Sequence, residues 1–171
     1  MYVCAVLDLF TRKIVGWAIA GHMTRERVLD ALRMAYAKRK AGRGLIFHSD
    51  RGSQYASAEV RRWLAERGLR QSMSGTGNCY DNAPMESFWH SLKVEETHGQ
   101  DFATRAQGQH CVFAYIEGWY NTTRMHSSLG YKSPTQFERA CHVQSIKAAN
   151  DTPINKHSNH SPSARLNKRA T

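Results

Sequence analysis

Two acids stand out by type and setting. Asp50 comes just after the apolar run Gly44-Leu45-Ile46-Phe47-His48, and Glu86 stands behind a stretch rich in glycine and asparagine, residues 74–82. Polar groups at the carboxyl ends of strands in α/β sheets are where ligands are usually met. Carboxylates so placed, with no better nucleophile nearby, suit metal-assisted phosphoryl transfer. In that chemistry two Mg²⁺ ions about 4 Å apart activate the attacking oxygen and stabilise the leaving one, and hard divalent ions take oxygen ligands. Each acid also has a plainer reading. Asp50-Arg51-Gly52 reads as a turn, and a glutamate in a first helical turn complements the helix dipole. Lys93 stands two helical turns after Glu86 on the same face, with His90 one turn along. A cation there could hold a phosphate beside the metals, or form only a solvated charge pair.

The elements that must position these residues are legible from periodicity. Residues 2–9 and 13–20 are apolar, β-branched runs separated by Phe10-Thr11-Arg12, and they predict a β-hairpin. Thr24 caps a helix with Val28, Leu29, Leu32, Ala35 and Tyr36 on one face. Lys38-Arg39-Lys40 closes it where cations suit the dipole, and Gly42 and Gly44 break it. Residues 44–48 predict a buried strand. A helix over about 57–67 presents Val60, Trp63 and Leu64 and stops at Gly68, and Leu69 to Ser72 is a short strand. Residues 74–82 bend more than they pack and predict a mobile loop. Asn82 as cap and Pro84 in the first turn open the helix that carries Glu86, Phe88, Trp89, Leu92 and Lys93. A long helix is expected from Thr104 to Tyr120, and Ser133-Pro134-Thr135-Gln136 is a capping box for one more. This order indicates a mixed α/β domain over 1–140. Residues 141–171 read as a polar tail, without Phe, Trp or Tyr, that is expected to be disordered.

Composition narrows the partners. The chain of 171 residues suffices for one domain with a buried core. Lys and Arg number 24 against 14 Asp and Glu, a formal charge of +10, which favours a polyanion because each neutralised phosphate releases counterions. A merely basic, soluble protein is the bland alternative. No run of about 18 apolar residues predicts a membrane span, and the first residues lack the basic region of a signal peptide, so a cytoplasmic location is expected. Cys4, Cys79, Cys111 and Cys141 form no Cys-x-x-Cys pair and read as reduced thiols. His110-Cys111 and Cys141-His142 match no familiar zinc module.

Four ordered segments resemble bacterial insertion-sequence transposases of the DDE, or retroviral-integrase-like, superfamily. They are Val6 to Trp17, the run His48-Ser49-Asp50-Arg51-Gly52-Ser53-Gln54-Tyr55, the run Asp81-Asn82-Ala83-Pro84-Met85-Glu86-Ser87-Phe88, and a closing block. That block comprises Tyr120-Asn121, Arg124, His126, Leu129-Gly130-Tyr131 and Ser133-Pro134, and 35 residues separate Asp50 from Glu86, the family's spacing. The resemblance covers about residues 2–140. It implies a ribonuclease-H-like fold, a mixed sheet flanked by helices, and three carboxylates holding two Mg²⁺ or Mn²⁺ ions. Water or a DNA 3′-hydroxyl then attacks a phosphodiester, nicking an element's end and joining it to a target. On that mapping Asp50 and Glu86 are catalytic metal ligands, Lys93 contacts the DNA terminus, and Arg51 and Gln54 are DNA-proximal. The partners implied are transposon ends and target DNA, with at least two protomers assembled on them.

The chain departs from the pattern at its start. The family's first catalytic Asp lies on a strand upstream of the motif with which this sequence begins, and Asp8 matches a non-catalytic hairpin acid. The expectation is a truncated reading frame that lacks the first strand, leaves two sheet edges without a partner, and is catalytically defective. A non-catalytic remnant that binds DNA or multimerises is the alternative.

Overall fold

The computed structural model describes residues 1–22, 24–75, 79–97 and 100–150. The expected hairpin forms from β1 (Tyr2–Leu7) and β2 (Ile14–Ala20), antiparallel, with Val6 opposite Gly16 and a bulge before Leu7, which faces Ile14. Asp8 builds the turn. Its carboxylate accepts the Phe10 and Thr11 N–H groups at 2.9 and 3.2 Å, and its own N–H donates to the Lys13 carbonyl. Arg39 pairs with the same carboxylate at 2.9 Å. Asp8 thus has a structural occupation.

Adjacent hairpin residues point to opposite faces, and here both faces are covered. On one side Cys4 and Ala18 join Val28 and Leu32 of α1 (Arg25–Arg39) and Val60, Trp63 and Leu64 of α2 (Ala58–Glu66). On the other, Ala5 and Ile14 meet Phe88 and Leu92 of α3 (Ala83–Leu92) and Val112 of α4 (Arg105–Phe113). The Thr24 side chain makes no cap bond, whereas Ser57 accepts the Val60 N–H at 3.3 Å and opens α2 as expected. At the far end of α2, Gly68 takes φ +66°, the left-handed stop that glycine provides.

The crossover through α2 joins β3 (Ile46–Ser49) to β4 (Arg70–Met73), which pair in parallel. The sheet is therefore in two pieces, β1–β2 and β3–β4, with no ladder between them among the described residues. The core, not backbone hydrogen bonding, unites them. The expectation of a buried strand at 44–48 needs correction. Leu45 and Ile46 are 54% and 56% exposed, because β3 pairs with β4 alone among the described residues and its other edge stays open.

The long helix expected over 104–120 has the right extent but changes pitch: α4 runs into a π-helical stretch, Ala114–Tyr120. A second π-helical stretch, Lys93–Thr97, extends α3. The capping box opens α5 (Pro134–Asn150): Ser133 N–H donates to Gln136 Oε1 at 3.0 Å and Gln136 N–H to Ser133 Oγ at 3.3 Å. Residues 142–150, read from sequence as part of the polar tail, continue this helix, since no glycine or proline interrupts them before Pro153. The rest of the tail, 151–171, lies outside the described residues. No helix among the described residues is long and apolar enough to cross a membrane.

Candidate active site

Parallel pairing brings the carboxyl ends of β3 and β4 together, and Ser74 N–H donates to the Ser49 carbonyl at 3.0 Å just beyond the ladder. Asp50 is the next residue, exposed, with Oδ1 accepting the Gly52 N–H at 2.8 Å. Gln54 converges on it. A Cβ added at Gly52 would lie 2.6 Å from Gln54 Nε2 and 2.9 Å from Asp50 Oδ1, so amide and carboxylate share the space that glycine leaves open. Arg51 donates through Nε to the Ser74 carbonyl at 2.8 Å and so ties the two strand ends. His48 does the same through its ring, with Nδ1 3.0 Å from Ser72 Oγ and Nε2 3.2 Å from Ser74 Oγ. Sequence reasoning gave His48 no task. The signal was the spacing of two serines on one strand face, which means something only once His48 is known to pair with Ser72.

Glu86 reaches the surface through the packing of α3. Phe88 and Leu92 face the core, which turns Glu86 and Lys93 outward. Pro84 sits in the first turn as expected, but Asn82 makes no side-chain cap bond. Ahead of the helix, Asp81 accepts the Gly75 N–H at 2.9 Å and draws the two ends of the expected loop together. Residues 76–78 of that loop lie outside the described residues, and 79–82 form a 3₁₀ turn.

A second cluster beyond Lys93 was not foreseen. Glu95 accepts from Tyr115 Oη at 2.8 Å, Trp119 Nε1 at 3.3 Å and Arg124 Nε at 2.9 Å, while Arg124 also donates to Ser91 Oγ at 2.9 Å. Burial pushes the Glu95 carboxyl up, but these donors outweigh it and hold the group below the usual carboxylate range. The network fastens the turn after Lys93 to the closing block.

His126 lies beside it, edge-on to the Tyr120 ring at 5.1 Å, with Nε2 buried and lacking a hydrogen-bond partner among the described residues. Burial, then the Arg124 and Arg12 cations, push its pKa from 6.5 down to about 4. The folded state therefore keeps the ring neutral, and its contribution is complete above pH 6.5 and lost as the pH falls toward 4. The lowered Glu95, Glu117 and Glu138 lose theirs only below the ordinary 4.5. Urea midpoints at pH 7.5 and about 5 are expected to drop more in the wild type than in His126→Gln; equal drops would remove His126 from the acid response.

Asp50 and Glu86 are exposed oxygen donors, neither in an ion pair among the described residues. No hydrogen bond joins them to each other among those residues. They suit a hard divalent ion in kind. In number they fall short, because no three His, Cys, Asp or Glu side chains among the described residues gather as a metal site.

Comparison with known proteins agrees with this layout. The integrase core domain family matches over residues 1–79 and again over 86–141. The transposase InsF of insertion sequence IS3A from Escherichia coli K12 is 49% identical over 138 residues, 81% of this chain and 48% of that protein. The transposase of insertion sequence element IS904 from Lactococcus lactis is 46% identical over 139 residues, 81% of this chain and 55% of that one. The chain spans about half the length of these curated relatives. Among solved structures, a chain of the simian T-cell lymphotropic virus intasome in complex with the PP2A regulatory subunit B56 gamma superimposes with a TM-score of 0.61 at 16% identity. The match covers 99% of this chain and 52% of that one, and it shows the ribonuclease-H-like fold. Motif order, the strand-end and helix-start placement of the two acids, and these matches agree: the chain belongs to the integrase-core family, among the insertion-sequence transposases of the DDE superfamily.

Proposed function

We propose that this domain serves DNA transposition, nicking a donor end and joining it to a target by phosphoryl transfer, and that it does so in the cytoplasm as a multimer on DNA. The catalytic core would span residues 1–140, with α5 running on past that boundary to Asn150. The observation that carries the reading is the placement of two exposed carboxylates, Asp50 beyond β3 and Glu86 in the first turn of α3, on a family-matched scaffold. They would be ligands of Mg²⁺ or Mn²⁺, which supply charge neutralisation and an activated oxygen. Gln54, beside Gly52 on the same side as Asp50, and Lys93, on the Glu86 face, would meet the DNA, with Arg51 nearby fixing the strand ends. Among the described residues the carboxylates so placed number two, one short of the three that the family resemblance implies.

That shortfall favours a second reading of the isolated chain: it binds DNA without cutting it. A nicking assay with Mn²⁺ on a supercoiled plasmid is expected to show no nicking by the chain alone. Nicking should appear when one N-terminal strand bearing an aspartate is added, and vanish again in that version with Glu86→Gln. Nicking by the unextended chain would overturn the second reading. An extended, folded protein that still cuts nothing would overturn the first.

A further inference from the structure

A basic surface lies at the other end of β3 and β4, remote from the carboxylates. α1 and α2 start beside Gln54, where Thr24, Arg25, Ser53 and Ser57 line one shallow hollow, and they run antiparallel to these strands. Their C-termini therefore meet the strand beginnings. There Gly44 N–H donates to the Gly68 carbonyl at 2.7 Å and Arg70 N–H to the Leu45 carbonyl at 2.9 Å. Arg43 folds across Gly68, close enough that a Cβ there would sit 3.1 Å from its Cγ and Nε. Arg67 stacks on Trp63 at 4.1 Å and reaches toward Tyr36, whose carbonyl accepts the Lys40 N–H. The backbone bonds of Gly44 and Arg70, the Arg43 fold across Gly68 and the Arg67 cation on the Trp63 ring thus gather Lys40, Arg43, Arg67 and Arg70 at this end.

Cations at helix C-termini complement the dipole, which accounts in part for Lys40 and Arg67. It does not account for Arg43, in a loop, or Arg70, at a strand start. Neighbouring cations have acidic partners: Lys38 pairs with Glu117, Arg39 with Asp8 and Glu138, and Arg67 with Glu66. Lys40, Arg43 and Arg70 are exposed and form no ion pair among the described residues. Uncompensated, clustered cations repel one another, and a polyanion relieves that cost with counterion release.

We propose that Lys40, Arg43 and Arg70 form a second DNA-binding surface, one that grips the phosphodiester backbone of a duplex without reading its sequence. It takes its partner from the DNA reading above but does not use the carboxylates, so a failure to nick leaves it standing. The test measures binding of a duplex of arbitrary sequence across a salt series, for the wild type and for Lys40→Asn, Arg43→Gln and Arg70→Gln combined. Each lost phosphate contact lowers the magnitude of the log-affinity against log-salt slope by about 0.9, so the triple variant should lose about 2.7 and Arg43→Gln alone about 0.9. Thermal melts confirm that the variants are folded, and the single variant keeps the test readable should the triple one melt early. An unchanged slope in folded variants overturns the proposal. So does wild-type binding to polyglutamate that duplex DNA fails to displace, which would point to an acidic protein instead.

Discussion

A Gly16→Ala variant is expected to lose about 3 kcal/mol of stability or more, beyond the usual cost of an extra methyl in a packed core. The reason is what the new Cβ would meet. It would stand 2.1 Å from the Ala31 carbonyl oxygen and 2.8 Å from the Ala35 nitrogen, both backbone atoms of α1, and 2.9 Å from the Ala35 Cβ. No side chain can swing aside, so β2 and α1 must separate. Gly16 does not adopt a positive φ, so the requirement is for space and not for backbone freedom. The α1–β2 contact anchors the core that holds Val28 and Leu32 against the hairpin. Domains of this kind are stable by about 5–15 kcal/mol, so the loss would be plain as a lowered denaturation midpoint. Gly42→Ala is the control, since nothing lies within 4 Å of a Cβ at that site. A midpoint for Gly16→Ala that matched Gly42→Ala would show that the helix floats on the strand.

Gly16 also marks where sequence reading stopped. Its neighbours Val15 and Trp17 signalled a strand, and Ala35 fell on the helical face, but Ala31 was not singled out and nothing local says that these surfaces touch. Features written within a few residues were legible: the Asp8 turn region, the Ser57 start of α2, the Ser133–Gln136 box, and the positions of Asp50 and Glu86 at the ends of their elements. Features that need register or long-range pairing were not. His48 meets Ser72 and Ser74 only through parallel pairing, and Glu95 finds Tyr115 and Arg124 at separations of 20 and 29 residues. The exposure of Leu45 and Ile46 depends on which strands flank β3, which an apolar run cannot state. Where local signals ran out, Arg124 and Asn121 came to notice only through the resemblance.

Asn121→Ala is the other change expected to be severe, at about 2–6 kcal/mol, since an unsatisfied buried polar group costs about 1–3 kcal/mol and two are created. Asn121 is 1% exposed and takes the place of a neighbouring strand for Ile14. Its Oδ1 accepts the Ile14 N–H at 2.9 Å and its Nδ2 donates to the Ile14 carbonyl at 3.0 Å. Its own backbone carries the tie onward, with its N–H on the Ile116 carbonyl and its carbonyl accepting from Thr135 N–H at the start of α5. One residue thus joins the hairpin, through its side chain, to the π-helical stretch and the last helix, through its backbone. Asn121→Asp separates hydrogen bonding from packing. At neutral pH it places a carboxylate in the core, facing a carbonyl it cannot donate to. Burial raises the folded pKa of such an acid above its unfolded value, so the neutral form is the favoured one. Stability is then present at acid pH and lost as the pH rises through the folded pKa. The deficit of Asn121→Asp should therefore shrink between pH 7 and about 4.5, whereas that of Asn121→Ala should stay nearly constant over this window, since the one carboxyl Asn121 helps to lower, Glu117, has an ordinary value of 4.5 at the window's edge. Denaturant titrations at the two pH values decide it. Parallel behaviour of the two variants would mean that the Ile14 groups find other partners, and that the closing block holds the hairpin by shape alone.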